Sequence, residues 1–485
     1  MDTGILEQGI LTPHSSSHSF SANYSRSDGW SRSKAGRLNT DFSGSKGFYQ
    51  GQYENDNVRL NWHLGIADKG WGSSTFWASP KWQADEQYEH TTKLFSALQG
   101  QTRKGPLYLN ASLYWNQNHD RYEGNRGRAE MMKYNYNRTD VYGVNIGAYY
   151  DWGTLSDARS GHIRNRTAFG AELRNEDLVS GNLGEPLSQT HPIKGTDRAY
   201  TLGVNRTNIS GYLEHNILLD EVTVSAGLVA VKNTWSNMNM TIYPGIDVCY
   251  RPTPHWKLHA SYNTSLRMPS FTEMYYKLQG YSADPHLKPE EMQALELGTT
   301  IHYSLFTIHS ALWCHHGSNM IDWIMDTSKG DNAEWQSVNH TTINSLGFEA
   351  SASINVPLFT NHYSLFTVSY SYIHQDKQQE ADLVSQYALE YLRHKLVAKA
   401  QLQLTKQLSL GMNLRWQDRV GAYTDFKGLT HDYEPYALID TRLTWAQTKW
   451  KAYIEANNLL DTSYHDYGLV EQPGRWLIAG ICILL

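Results

Sequence analysis

Apolar and polar side chains take turns along much of this chain. Val58, Leu60, Trp62, Leu64 and Ile66 alternate with Arg59, Asn61, His63, Gly65 and Ala67. Leu107, Leu109, Ala111, Leu113 and Trp115 alternate with Tyr108, Asn110, Ser112, Tyr114 and Asn116. Leu408, Leu410, Met412, Leu414 and Trp416 alternate in the same way with Ser409, Gly411, Asn413, Arg415 and Gln417. Successive side chains on a strand point to opposite faces, so each segment has one greasy and one wet face. The segments are too long and too numerous for a soluble sandwich. The pattern predicts an all-β fold, a large antiparallel transmembrane barrel with lipid outside and water or protein inside.

Tight turns and long connections separate the segments. Short turns are expected at Asn55-Asp56-Asn57, Arg103-Lys104-Gly105, Pro252-Thr253-Pro254 and Gln447-Thr448-Lys449. Long connections are expected near 67–86, 119–131, 181–196, 271–290, 326–334 and 419–433. Tight periplasmic turns and long external loops are the asymmetry of outer-membrane barrels. Strands are expected to open near residues 17, 44, 58, 87, 106, 132, 161, 197, 221, 238, 255, 291, 305, 335, 363, 386, 407, 435, 449 and 474. That is twenty, an even number, which puts both termini on the periplasmic side. The run Glu380–Lys395 has a helical look, but the alternating stretch from Leu396 makes it a loop running into a strand.

Bulk properties narrow the class. No composition shift or linker divides the 485 residues. No stretch approaches 18 consecutive apolar residues, which excludes transmembrane helices. A mean hydropathy of −0.56 is compatible with a membrane barrel, because half of every strand is polar. The 32 Tyr and 16 Trp suit the two bilayer interfaces. The net charge of −6 is dispersed without a basic stripe, so nucleic acid is not an expected partner. Cys249, Cys314 and Cys482 form no CxxC and no zinc spacing. Met1-Asp2-Thr3 brings no basic segment followed by an apolar one, so a mature or shortened form is expected.

Two motifs are more specific. The first is Ser265-Leu266-Arg267-Met268-Pro269-Ser270-Phe271-Thr272-Glu273-Met274-Tyr275, followed by Asp284-Pro285, Leu287-Lys288-Pro289-Glu290 and Glu296-Leu297-Gly298. The second is Asn457-Asn458-Leu459-Leu460-Asp461-Thr462-Ser463-Tyr464, then Asp466-Tyr467-Gly468 and Pro473-Gly474-Arg475-Trp476. Prolines do not donate to a ladder, so Pro269 and Pro285 belong where strands end. Asp461 is expected to tie a turn through its side chain. Gly474 is expected to supply a positive φ before the last strand. Arg267 and Arg475 read as structural ion pairs or as ligand contacts.

In this order and spacing the motifs resemble the mid-barrel and terminal signatures of TonB-dependent outer-membrane receptors. The style is that of the vitamin B12 and ferric-siderophore branch of Bacteroides-type bacteria. The resemblance marks Arg267, Pro269, Phe271, Glu273, Pro289, Glu290, Asn458, Leu459, Asp461, Tyr464, Gly474 and Arg475 as family-motif positions. It implies a receptor barrel in the outer membrane of a Gram-negative bacterium, for a scarce metal-organic nutrient such as cobalamin or a ferric siderophore. Implied partners are outer-membrane lipid, the small metal-organic ligand, a surface lipoprotein, and the TonB complex if a plug is supplied. Members of the family carry a plug inside a 22-stranded barrel. The expectation is therefore an N-terminally truncated form, with residues 1–16 an irregular remnant and 17–485 the barrel, unable to couple to TonB alone. The alternative is a plugless, porin-like diffusion channel.

Ligand contacts are expected in the external loops. Trp71, Phe76, Trp77 and Trp82 offer rings to a planar organic ligand, or belong to the outer aromatic girdle. Arg121, Tyr122 and Arg126 lie in a charged stretch, 119–130, suited to an anionic chelate. His315 and His316 are strand neighbours that point to opposite faces and so do not chelate together. No catalytic motif is present, and no enzyme activity, resident metal or cofactor is expected.

Overall fold

The computed structural model describes residues 15–29, 40–73, 86–102, 104–157, 161–235, 238–277, 280–359, 362–376, 383–385, 391–425, 427–468 and 470–483. The strands are β1 (Ser15–Ser27), β2 (Phe42–Glu54), β3 (Val58–Gly72), β4 (Tyr88–Thr102), β5 (Leu107–Glu123), β6 (Asn135–Asp157), β7 (Gly161–Ser180), β8 (Glu185–Pro192), β9 (Ala199–Leu218), β10 (Val222–Asn233), β11 (Thr241–Thr253), β12 (Trp256–Arg267), β13 (Tyr281–Ser282), β14 (Glu290–His302), β15 (Phe306–Asp326), β16 (Trp335–Phe359), β17 (His362–Asp376), β18 (Leu383–Ser385), β19 (Tyr391–Gln403), β20 (Leu408–Val420), β21 (Ala422–Thr424), β22 (Thr430–Asp432), β23 (Tyr436–Ala446), β24 (Trp450–Asn457) and β25 (Trp476–Ile483). All except β8, β13, β18, β21 and β22 form one antiparallel meander, the barrel wall of twenty strands. Among the described residues, β1 forms a ladder with β2 alone and β25 with β24 alone.

The alternation decides which face each side chain takes. Trp62, Leu98, Leu113, Val144, Leu173 and Ile209 lie directly opposite one another across five successive ladders. Leu98, Leu113, Val144, Leu173 and Ile209 are exposed. So are Leu297, Leu312, Val368, Leu443 and Ile454 farther round the wall. A continuous apolar belt of this kind is stable only against hydrocarbon.

Inside the wall, aromatic rings lie over glycines on the neighbouring strand. Phe95 is paired with Gly65, Tyr114 with Gly143, Tyr212 with Gly170, Trp313 with Gly347 and Tyr453 with Gly480. A Cβ on Gly65 would fall 2.1 Å from the Phe95 ring, and one on Gly347 2.1 Å from Trp313.

The long connections all lie at one end of the barrel, and several strands run past the apolar belt at that end. Trp71 therefore closes β3 and is not in a loop, and Arg121 and Tyr122 are paired residues of β5. The ladder continues because β4, β5 and β6 keep supplying partners above the belt, as far as Glu123. The five short strands decorate this end: β8 pairs with β9, β13 with β16, β18 with β15, and β21 with β22.

The terminal motif is a turn between β24 and β25. Asn458 is buried and has a φ of 47°. Its side chain accepts from the Thr462 N–H at 2.9 Å and donates to the Thr462 and Pro473 carbonyls. The Leu459 N–H donates to the Ile439 carbonyl, and the Tyr464 ring lies tilted against Tyr436 with centres 4.5 Å apart. Asp461 Oδ1 accepts from the Arg475 N–H at 2.7 Å, so the expected tie exists. Gly474 does not supply the positive φ expected of it. Asn458 and Asp461 take the left-handed conformation instead, and Gly474 is simply buried beneath the turn.

Candidate functional site

The mid-chain motif builds a fixed loop between β12 and β14, described at 268–277 and 280–289. Ser270 and Glu273 form a capping box around the helix α1 (Phe271–Tyr275). Arg267 holds Glu273 bidentately at 3.0 Å and also pairs with Glu290. Glu290 in turn accepts from the Ile321 N–H at 2.8 Å, where β15 bulges. Burial alone would raise the Glu273 pKa, but the Arg267 guanidinium and the Ser270 N–H outweigh it and hold the carboxyl below its usual range.

A second latch comes from β9. Arg206 is buried, pairs with Glu176, and donates to the Pro269 carbonyl at 2.6 Å. Met274 and Leu287 are almost wholly buried against Leu178, Leu183, Val204 and Ile321. Lys288 exchanges hydrogen bonds with the Asn339 amide, and the Asp284 N–H donates to Ser337. Trp235 Nε1 donates to the Tyr275 hydroxyl at 3.1 Å. Pro289, next in the chain, leads into β14.

Between this loop and the inner face of β3–β6 lies a cavity of about 550 Å³. Its wall is a grid set by strand register. Trp71 faces Glu89, Lys69 faces Thr91, and Thr91 faces Asp120 and then Asn137. One step deeper, Lys93 faces Asn118 and then Thr139. Leu178, Leu183, Phe271 and Thr272 line the opposite side. Lys69 Nζ sits 4.8 Å above the Trp71 ring. This arrangement can bind and orient a small polar molecule.

The expected contacts divide. Trp71 lines the cavity, and Tyr122 lies directly opposite Glu89 on the same face. Arg121 is one residue out of phase and pairs with Glu123 on the outer face. Arg126 grips Asp41 at 2.8 Å over the Tyr88 ring, and Arg128 pairs with Glu86. These guanidiniums are engaged within the loop layer. Phe76, Trp77 and Trp82 lie outside the described residues. Reading the sequence missed Lys69, Glu89 and Lys93, and placed Asp120 in a charged loop although it is a paired residue of β5.

His315 stacks on Trp313 at 4.3 Å, while His316 is exposed and bonds Asn344. Among the described residues no group of three His, Cys, Asp or Glu side chains is placed to hold a metal.

The wall is an outer-membrane barrel with a cavity at its loop-bearing mouth, and the comparisons name the family. The TonB dependent receptor-like β-barrel model matches residues 9–459, so the chain belongs to that family. It is a barrel of the Gram-negative outer membrane and not an enzyme. It is similar to the vitamin B12 transporter BtuB of Vibrio vulnificus, 26% identical over 155 residues. That stretch is 32% of this chain and 22% of the transporter's length. Its fold is similar to the siderophore receptor PirA of Acinetobacter baumannii, with a TM-score of 0.73 and 13% identity over 96% of this chain and 75% of that one. It is similar also to the ferric enterobactin receptor PfeA of Pseudomonas aeruginosa, with a TM-score of 0.70 and 15% identity over 98% and 76% of the two chains.

Proposed function

We propose that this barrel is the receptor of a TonB-energised uptake system for a scarce metal-organic nutrient of the cobalamin or ferric-siderophore type. The observation that carries the reading is the cavity at the loop-bearing mouth, walled by β3–β6 and floored by a loop that two arginine latches hold still. A preformed, partly apolar pocket with a few fixed polar groups suits capture of a dilute small molecule. A diffusion channel has no use for one. Binding at the mouth requires no chemistry on the ligand, so release through the barrel must be driven from outside this chain.

The test is uptake of labelled cyanocobalamin and of a labelled ferric siderophore by Gram-negative cells lacking their own receptors and expressing this gene. Accumulation that disappears when TonB is deleted is the expected result. Equal uptake with and without TonB, together with steady ohmic conductance in planar bilayers, would replace the receptor by the passive channel.

A further inference from the structure

Resting on the receptor reading, we infer that the mouth cavity takes a ligand of little net charge, rich in hydroxyl or primary amide donors, and not a polyanionic chelate. The wall of the cavity sets the first condition. Lys69 and Lys93 alternate with Glu89 and Asp120 across adjacent strands, so each ammonium has a carboxyl group on the neighbouring strand. Lys69 is one pleat from Glu89, diagonally across the β3–β4 ladder, and is further occupied by the Trp71 ring. The arginines nearest the cavity are already engaged: Arg206 and Arg174 with Glu176, Arg267 with Glu273 and Glu290. A multiply charged anion entering here would meet two carboxyl groups for every two ammoniums.

Orphaned acceptors set the second condition. Asn118 Oδ1 and Asp120 Oδ1 are shielded from solvent and have no N–H or hydroxyl donor among the described residues. The other Asp120 oxygen accepts from the Asn137 amide at 3.1 Å, and Asn137 is itself held by Ser180. The wall is thus braced from behind, and two acceptors on cavity-lining side chains are left unpaired. Buried acceptors without partners are costly, and ligand O–H or N–H groups remove that cost. On the opposite side Phe271, Leu178 and Leu183 offer an apolar face to a ring. A sugar and an amide-bearing corrinoid share this chemistry.

Calorimetric titration of the full chain in detergent micelles tests the inference, with cyanocobalamin, a linear maltooligosaccharide and a trianionic ferric tris-catecholate as probes. One of the two uncharged probes is expected to bind at least tenfold tighter than the trianion, and its identity tells the corrinoid from the sugar. Asp120→Ala and Asn118→Ala should each weaken that probe about tenfold. Asp120→Lys should reverse the preference towards the trianion. Heat-modifiable migration on a gel checks that each variant is folded. Tighter binding of the trianion by the unaltered chain would overturn the inference and leave the receptor standing. Unchanged affinity in both alanine variants would remove the ligand from this cavity. Binding of none of the probes by folded chain would overturn both readings.

Discussion

Arg206 donates to the Pro269 carbonyl at 2.6 Å while its guanidinium lies 4.6 Å from the centre of the Phe271 ring. One buried side chain of the wall thus grips both the entry and the helix of the loop that floors the cavity. Arg206→Ala would leave the buried Glu176 with Arg174 alone and free the Pro269 carbonyl, at a cost of about 1.5–3 kcal/mol locally. The expected result is trypsin cleavage after Lys277, at least tenfold faster than in the unaltered chain, with heat-modifiable migration of the barrel retained. Equal cleavage rates would show that the apolar contacts of Met274 and Leu287 suffice.

The Arg267–Glu273 tie depends on pH. A free glutamate titrates near about 4.3, and in the folded loop Glu273 titrates lower. Its contribution is therefore complete above that value and is lost as pH falls through the lower, folded one. Pulsed hydrogen exchange at the amides of 270–276 should show protection falling steeply below about pH 4. Glu273→Gln should flatten the profile and leave the loop less protected at pH 7.

The two faces of the wall predict opposite responses to the same substitution. Leu113→Arg puts a cation in the apolar belt and should cost about 2–4 kcal/mol at the bilayer midplane. Ser351→Arg, facing the lumen beside Lys395 and Lys399, should cost little. Reversible urea titration in phospholipid vesicles measures both. Equal costs would mean that the faces are misassigned.

Asn458 combines a left-handed backbone with three side-chain hydrogen bonds. Asn458→Ala should cost about 3 kcal/mol or more, since it loses the bonds and strains the backbone. Asn458→Gly should recover roughly 1 kcal/mol of that, the backbone share alone. The same urea titration resolves the two.

The wall was legible because lipid on one side imposes strict alternation. Expected openings at 58, 161 and 335 coincide with β3, β7 and β16. The widest miss, 386 against Tyr391, falls where Glu380–Lys395 imitates a helix. The short strands β8, β13, β18, β21 and β22 stayed hidden, because above the belt no solvent contrast orders their side chains. The cavity was only half legible. Parity alone turns Trp71 and Tyr122 inward and Arg121 outward. Lys93 and Asn118 could have been brought together across the short turn expected at Arg103-Lys104-Gly105, since a short turn sets the register of its hairpin. The β3–β4 pairing that adds Lys69 crosses a long connection, and no local rule fixes it.

The rings seated over glycines carry a consequence for assembly. Phe95 fits because Gly65 leaves a gap opposite it, and Trp313 fits because Gly347 does. A slip of two residues keeps every greasy side chain facing lipid, so the membrane cannot detect the mistake. The ring then collides with a side chain where the notch should be. These notches act as keys that reject misaligned hairpins while the sheet is still being zipped together.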